Sequence, residues 1–273
     1  MTTTKEISID DAMTQLSRLH EWMPAGRETV LGPHMLALVD WVDLRVVEFA
    51  LKAGASELPV PRLIAHSVLE RAGYFESFPA SIVEESEGGC MPPATCYHCY
   101  AKLAATSLRE PVLLTCIARC RRNESEEESG RLQTFTMREI VFIGSAGWVR
   151  KQRQEWTDRI LAFAQTLHLV VQLDAATDSF FAGGEARGRK LLQQIKGLKI
   201  ELRAQMDAKE TPLAISSFNL HETFFSRCFD FQLADGIEAH SGCVAFGLER
   251  WALALALTLG PDQAFSLVEQ VQR

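Results

Sequence analysis

No stretch of this sequence approaches the ~20 consecutive apolar residues that cross a bilayer, and its N-terminus, MTTTKEISIDDAM, is too polar to hold the apolar core of a signal peptide. A membrane partner is not expected, and the cytosol is the default compartment. Positive charge is not in excess either. Lys and Arg number 28 against 35 Asp and Glu, for a net charge of −7, which argues against a nucleic-acid surface. Internal repeats, Pro- or Gly-rich linkers and low-complexity tracts are absent, so the 273 residues are expected to form one domain, 1–273, with an ample core. A composition of 47% hydrophobic and 23% charged residues is that of an ordinary globular chain. Seven cysteines, at 90, 96, 99, 116, 120, 228 and 243, are an odd set without a secretion signal. That argues against a disulfide framework and for reduced or metal-bound thiols.

Hydrophobic periodicity predicts a long amphipathic helix over 34–54, through Leu36, Val39, Val42, Val46, Val47 and Leu51, with Gly54 as C-cap. A second helix is expected over Leu63–Ala72, ending at Gly73. The runs 111–119 and Phe135–Ile143 read as an antiparallel hairpin around the acidic stretch Asn123–Gly130. Arg150–His168 reads as a helix and Leu167–Leu173 as a strand. Residues 197–204, 212–218 and 227–233 read as further strands, and Gly247–Gly260 as an apolar helix. Strands joined sequentially, with helices between groups, favour an α+β fold with an antiparallel sheet. Trp41, Trp148 and Trp251 fall in apolar patterns and read as core, as do the small thiols Cys116, Cys120 and Cys228.

Two constellations could carry chemistry. In the hairpin, Arg122 and Glu124 are two residues apart and therefore share a face of a strand, while Arg131, Phe135 and Glu139 recur at intervals of four on the return. Two cations, a ring and two carboxylates on one face suit a nucleoside triphosphate, with guanidinium groups on phosphates and the ring on the base. The same pattern also describes a solvated hairpin laced with cross-strand ion pairs. The second constellation is Ser241-Gly-Cys-Val-Ala-Phe-Gly-Leu-Glu-Arg250, where small residues on a strand permit close approach of a ligand. Arg250 in the first turn of the following helix opposes the macrodipole and calls for an anionic partner such as a phosphate. Alternatively, Glu249 complements the dipole and Arg250 reaches into solvent.

These pieces resemble the catalytic core of the class II aminoacyl-tRNA synthetases. Arg122–Glu124 resembles the first half of motif 2, Arg131, Phe135 and Glu139 the second half, and Gly247-Leu248-Glu249-Arg250 motif 3. Glu57–Pro79 stands in the place of the weak, dimer-building motif 1. Pro92–Tyr100 lies where many class II enzymes carry a Thr-x-Glu loop, but here the third position is Cys96, and Cys243 replaces the first glycine of motif 3. In this the chain resembles the atypical zinc-dependent seryl-tRNA synthetases, and more closely their shortened relatives, the amino acid:[carrier protein] ligases, which keep only the catalytic core. The resemblance spans roughly 34–260, with about 30 N-terminal residues peripheral to it and no counterpart of an anticodon-binding domain.

The resemblance implies a homodimer that activates glycine or alanine with ATP and passes it to the phosphopantetheine thiol of a carrier protein, without tRNA. It assigns Zn²⁺ to Cys96, Glu139 and Cys243, two thiolates and a carboxylate with a fourth position open to substrate. Arg122 would hold the α-phosphate, Arg131 and Arg250 the β- and γ-phosphates, and Phe135 the adenine. Glu124 and Glu201 are matched to Mg²⁺ or the substrate amine, and Ser217 and Asn219 to substrate and ATP. Lys199-Ile-Glu201 and Ser217-Phe-Asn219 also read as ordinary alternating strands.

Departures leave alternatives open. Arg121 precedes Arg122 and Asn123 follows it, so a slip of one residue would make Arg121 the clamp. Cys96-x-x-Cys99 could be half of a structural zinc knuckle, although no second such pair exists. His221 and His240 read as satisfied polar residues with no catalytic role. A non-catalytic paralogue that binds a metabolite or a partner protein is the rival function.

Overall fold

The computed structural model describes residues 8–78, 88–123, 130–176, 197–206 and 212–269. Its centre is a seven-stranded sheet built from β1 (Ser56–Glu57), β2 (Val112–Arg121), β3 (Thr134–Gly144), β4 (Val171–Ala175), β5 (Lys199–Ala204), β6 (Leu213–Glu222) and β7 (His240–Gly247). The spatial order is β1-β2-β3-β7-β6-β5-β4. All neighbours are antiparallel except the two-residue edge strand β1, which runs parallel to β2, so the expected antiparallel sheet is mixed at that one edge.

Helices α1 (Ile9–Arg18), α2 (Pro33–Lys52), α3 (His66–Arg71), α4 (Tyr74–Ser77), α5 (Cys96–Lys102), α6 (Ala146–Thr166), α7 (Phe224–Phe229), α8 (Leu248–Leu259) and α9 (Pro261–Glu269) cover this sheet. None of the described helices is by itself long and apolar enough to cross a membrane.

Strand alternation decides what each face receives. Ile140 and Phe142 of β3, Phe218 and Leu220 of β6, and Val244 and Phe246 of β7 point to one side, where they join α2, α6 and α8 in the main core. α8 is apolar all round, and Trp251 and Leu253 to Ala256 are fully buried there. The opposite face is divided. At one end Cys116, Val141, Ile143 and Cys243 pack under α5 and α7 in a second core. Towards the other end the strands carry polar residues and line a cavity.

Local chemistry sets the boundaries. Pro33 opens α2, and the buried Glu21 carboxylate accepts hydrogen bonds from the N–H groups of His34 (3.0 Å) and Met35 (2.9 Å), capping the helix from outside it. Gly32 is required there, because a Cβ would stand 2.5 Å from the His20 carbonyl oxygen. The Ser145 side chain caps α6.

Three expected elements differ. Residues 227–233 contain the end of α7 and a two-residue strand, Gln232–Leu233, instead of one strand. Phe225 and Phe229, one helical turn apart, are both buried, and left-handed Asp230 (φ 53°) ends the helix. The strand expected over 167–173 starts only at Val171, since Leu167 caps α6 and His168 turns left-handed (φ 59°). The helix expected over 63–72 is shortened to His66–Arg71, because Ile64 and Ala65 pair with Cys90 and Gly89. Among the described residues of the N-terminal stretch, Ala12, Leu16 and Trp22 are buried in the main core.

Candidate active site

A cavity of about 550 Å³ opens on the polar half of the sheet. It is lined by Arg122, Arg131, Phe135, Glu139, Glu201, Ser217, Asn219, Cys243 and Arg250, together with Cys96 from α5. Side-chain period two explains the convergence: Lys199, Glu201 and Arg203 of β5, Ser217, Asn219 and His221 of β6, and Phe135, Met137 and Glu139 of β3 all point to this face. Glu124, expected on the first hairpin strand, lies outside the described residues, as does most of the acidic stretch. Arg122 follows the last residue of β2 and Arg131 precedes β3, so neither is on a strand as the spacing predicted. Both nevertheless face the cavity.

Arg121 and Arg122 have different partners. Arg121 turns away to Glu28 (3.4 Å) and Thr134 (3.2 Å) and does not line the cavity. Arg122 donates from Nε to the Pro93 carbonyl (2.8 Å), and its guanidinium sits 5.5 Å from the centre of the Phe135 ring. Arg250 reaches back from the first turn of α8 to the carbonyls of Gly130 (Nε, 3.1 Å) and Ala214 (Nη1, 3.0 Å), not to solvent. Its neighbour Glu249 is buried and accepts from the Thr136 N–H (2.8 and 2.9 Å) and hydroxyl (2.8 Å), which locks α8 onto β3. Glu201 is shared between Arg203 (2.6 Å) and Lys199 (3.2 Å).

At the inner end, one ligand atom each of Cys96, Glu139 and Cys243 lies within 4.8 Å of the others, and all three residues are buried. Cys96 is the first residue of α5, Glu139 the middle of β3 and Cys243 part of β7. The Cys96 N–H donates to Glu139 Oε2 at 2.6 Å. As ionised groups with no cation beside them the three are poorly matched to their surroundings. Hydrogen bonding with Cys243, then burial, raises the Cys96 thiol well above its ordinary value, and burial raises Cys243 to about 11 and Glu139 above the usual carboxylate range. Two thiols and a carboxylate without a buried cation among them form a donor set suited to a soft or borderline divalent metal.

The residues fit zinc in a second respect. A metal-bound thiolate only accepts hydrogen bonds, and Asn219 Nδ2 donates to Cys243 Sγ at 3.3 Å. With its nitrogen so used, Asn219 Oδ1 is buried without a hydrogen-bond partner. Cys99 is not part of the set: its sulfur lies 3.3 Å from that of Cys116 in the core, so the Cys96-x-x-Cys99 pair is no zinc knuckle. His221, which the sequence reads as a satisfied polar residue with no catalytic role, lines the cavity beside Cys243 with Tyr100 and Phe225 packed around it.

No family model matches the chain. Amino acid–[acyl-carrier-protein] ligase 1 of Bradyrhizobium diazoefficiens is 33% identical over 242 residues, 77% of this chain and 74% of the relative. Ligase 2 of the same organism is 34% identical over 237 residues, 75% of this chain and 70% of the relative. Among solved structures, M. kandleri SerRS in complex with A. aeolicus tRNASec superimposes with a TM-score of 0.85 at 18% identity, covering 100% of this chain. The chain spans 62% of the length of that synthetase chain. The likeness in structure establishes the class II synthetase-like fold, and the likeness in sequence, over three quarters of the chain, goes further: the protein belongs to the amino acid–[acyl-carrier-protein] ligase family.

Proposed function

We propose that the chain activates a small amino acid, glycine or alanine, with ATP and transfers it to the phosphopantetheine thiol of a carrier protein. The observation that carries this reading is the buried Cys96–Glu139–Cys243 cluster at the inner end of a cavity whose outer part is lined by Arg122, Arg131 and Arg250. The family names of the relatives support the carrier protein as acceptor.

Cys96, Glu139 and Cys243 would hold Zn²⁺, which when bound supplies a Lewis acid that recognises the uncharged amino group of the substrate. Asn219 Oδ1 would accept a hydrogen bond from that amine, and Ser217, beside it on β6, would contact substrate and ATP. Arg122 then stands over the reacting carboxylate and α-phosphate, Arg131 and Arg250 hold the β- and γ-phosphates, and Phe135 stacks on adenine. Mg²⁺ enters with ATP as part of the substrate, and Glu201 is the carboxylate the cavity offers it. The substrate carboxylate oxygen attacks the α-phosphorus, the bond to the β-phosphate oxygen breaks and pyrophosphate leaves. The nucleophile is already an anion, so positioning and electrostatics suffice without a general base. The pantetheine sulfur then attacks the carbonyl carbon, losing its proton, and AMP leaves.

A homodimer is part of the proposal. Leu36, Leu44 and Leu51 are each about half exposed on one side of α2, next to the segment that resembles motif 1.

The deciding experiment is amino-acid-dependent ATP–pyrophosphate exchange on zinc-replete protein across the twenty amino acids. Exchange with glycine or alanine is expected. No exchange with any amino acid, in protein shown to contain zinc, would overturn the reading in favour of a non-catalytic paralogue.

A further inference from the structure

β6 does not pair evenly with β7. Leu220 lies opposite Gly242 and Glu222 opposite Ser241, so His221 is an extra residue in a β-bulge, followed by left-handed Glu222 (φ 51°). Bulges next to sites re-aim a side chain, and a non-glycine residue held left-handed is a strain that surrounding structure must maintain. The side chain aimed here is His221. Its Nδ1 lies 3.0 Å from the Tyr100 hydroxyl and 3.4 Å from that of Ser241, and its Nε2 lies 3.8 Å from Cys243 Sγ. Phe225 meets the imidazole edge-on with centroids 4.9 Å apart and stacks on Tyr100 at 4.0 Å, which fixes the ring plane.

We propose that His221 is a positioning residue for the metal-binding thiolate, donating its Nε2–H to Cys243 Sγ while the Tyr100 hydroxyl donates to Nδ1. The tautomer follows from the acceptor: a metal-bound thiolate carries no hydrogen, so the nitrogen facing it must, and the other nitrogen is left to accept from Tyr100 and Ser241. Together with Asn219, the bulge thus brings a second N–H donor to one sulfur. Two such donors draw charge from the thiolate, orient its lone pairs and set how strongly it holds the metal. No substrate contact is required of His221, which separates this role from those assigned above.

The inference rests on the zinc reading and is tested by zinc affinity, measured by competition with a chelating dye, and by the thiolate-to-metal charge-transfer band of the Co²⁺-substituted protein. His221→Phe keeps an aromatic ring and removes the donor. It is expected to weaken zinc binding on the order of 10- to 100-fold and to shift the cobalt band. His221→Gln, whose amide can still donate to the sulfur, is expected to bind close to wild type. Tyr100→Phe, which removes only the group that orients the imidazole, is expected to fall between them. Unchanged affinity in His221→Phe, or equal losses in the Phe and Gln variants, overturns the role of His221. If His221→Phe gives no cooperative melt, unchanged affinity in Tyr100→Phe overturns it instead. Wild-type protein that takes up no zinc overturns the metal reading itself, a result distinct from any of these.

Discussion

Glu139 Oε2 accepts a 2.6 Å hydrogen bond from the backbone N–H of Cys96, 43 residues earlier in the chain. That contact joins the first turn of α5 to the middle of β3 and draws two donors of the candidate metal centre together. The bond is made by the Cys96 backbone, and its sulfur hydrogen-bonds with Cys243. The site's predicted behaviour follows from arrangements of this kind.

Zinc should depend on Cys96 and Cys243 but not on Cys99. Cys96→Ala and Cys243→Ala are expected to purify without stoichiometric zinc, while Cys99→Ala keeps it, because Cys99 packs against Cys116. Metal analysis of the three variants checks this. Full zinc in Cys96→Ala would show the ligand set to be wrong.

Arg250 is anchored by two backbone carbonyls, so its guanidinium is held in place before any phosphate arrives. Removing a preorganised charge of this sort should lower kcat/KM for ATP–pyrophosphate exchange on the order of 10²- to 10³-fold. The lost hydrogen bonds should cost only about 1–2 kcal/mol of stability. Arg250→Ala with full exchange activity would exclude it from phosphate binding.

Burial raises the Glu249 carboxyl above its ordinary value of 4.5, against the opposing effect of its bonds from Thr136. The folded protein therefore binds this proton more tightly than the unfolded chain. The group's contribution to stability is full below about pH 4.5 and is lost as pH rises through the raised folded value. Glu249→Gln is neutral throughout and should gain stability relative to wild type as pH is raised from the acid side towards neutrality. Denaturant unfolding of both proteins across that range reads the slope, which is insensitive to any constant offset from the altered hydrogen bonds. A difference that stays flat or shrinks would contradict the assignment.

Leu44 is 52% exposed, so Leu44→Glu should change the stability of the fold little, within about 0.5 kcal/mol. If α2 is the face shared by two copies, the substitution should convert a species of twice the chain mass into one of the chain mass in sedimentation equilibrium. Wild-type protein that sediments as a single chain at micromolar concentration would remove the dimer from the proposal.

Much of this protein could be read directly from its residues, because the signals concerned are local. The helical spacing through Val39, Val42 and Val46, the β-hairpin around the acidic stretch and the apolar run after Gly247 each form the element their periodicity places there, although Leu36 and Leu51, read into the same apolar pattern, stand half exposed on α2. Cys96, Glu139 and Cys243 were singled out by the resemblance to the class II motifs, and the fold brings one ligand atom of each within 4.8 Å of the others. What the chain could not show locally was decided by packing between distant segments. The stretch 227–233 alternates like a strand, yet it begins within a helix, because Phe225 and Phe229 find a shared aromatic pocket against Tyr100 only in three dimensions. Arg121 and Arg122 are adjacent in sequence and are told apart by Glu28, 93 residues before Arg121, which pairs with the first, while the second lines the cavity. His221 looked like any solitary histidine. A register shift between β6 and β7 turned it towards Cys243, and pairing registers belong to two strands at once, so neither strand's sequence alone contains them.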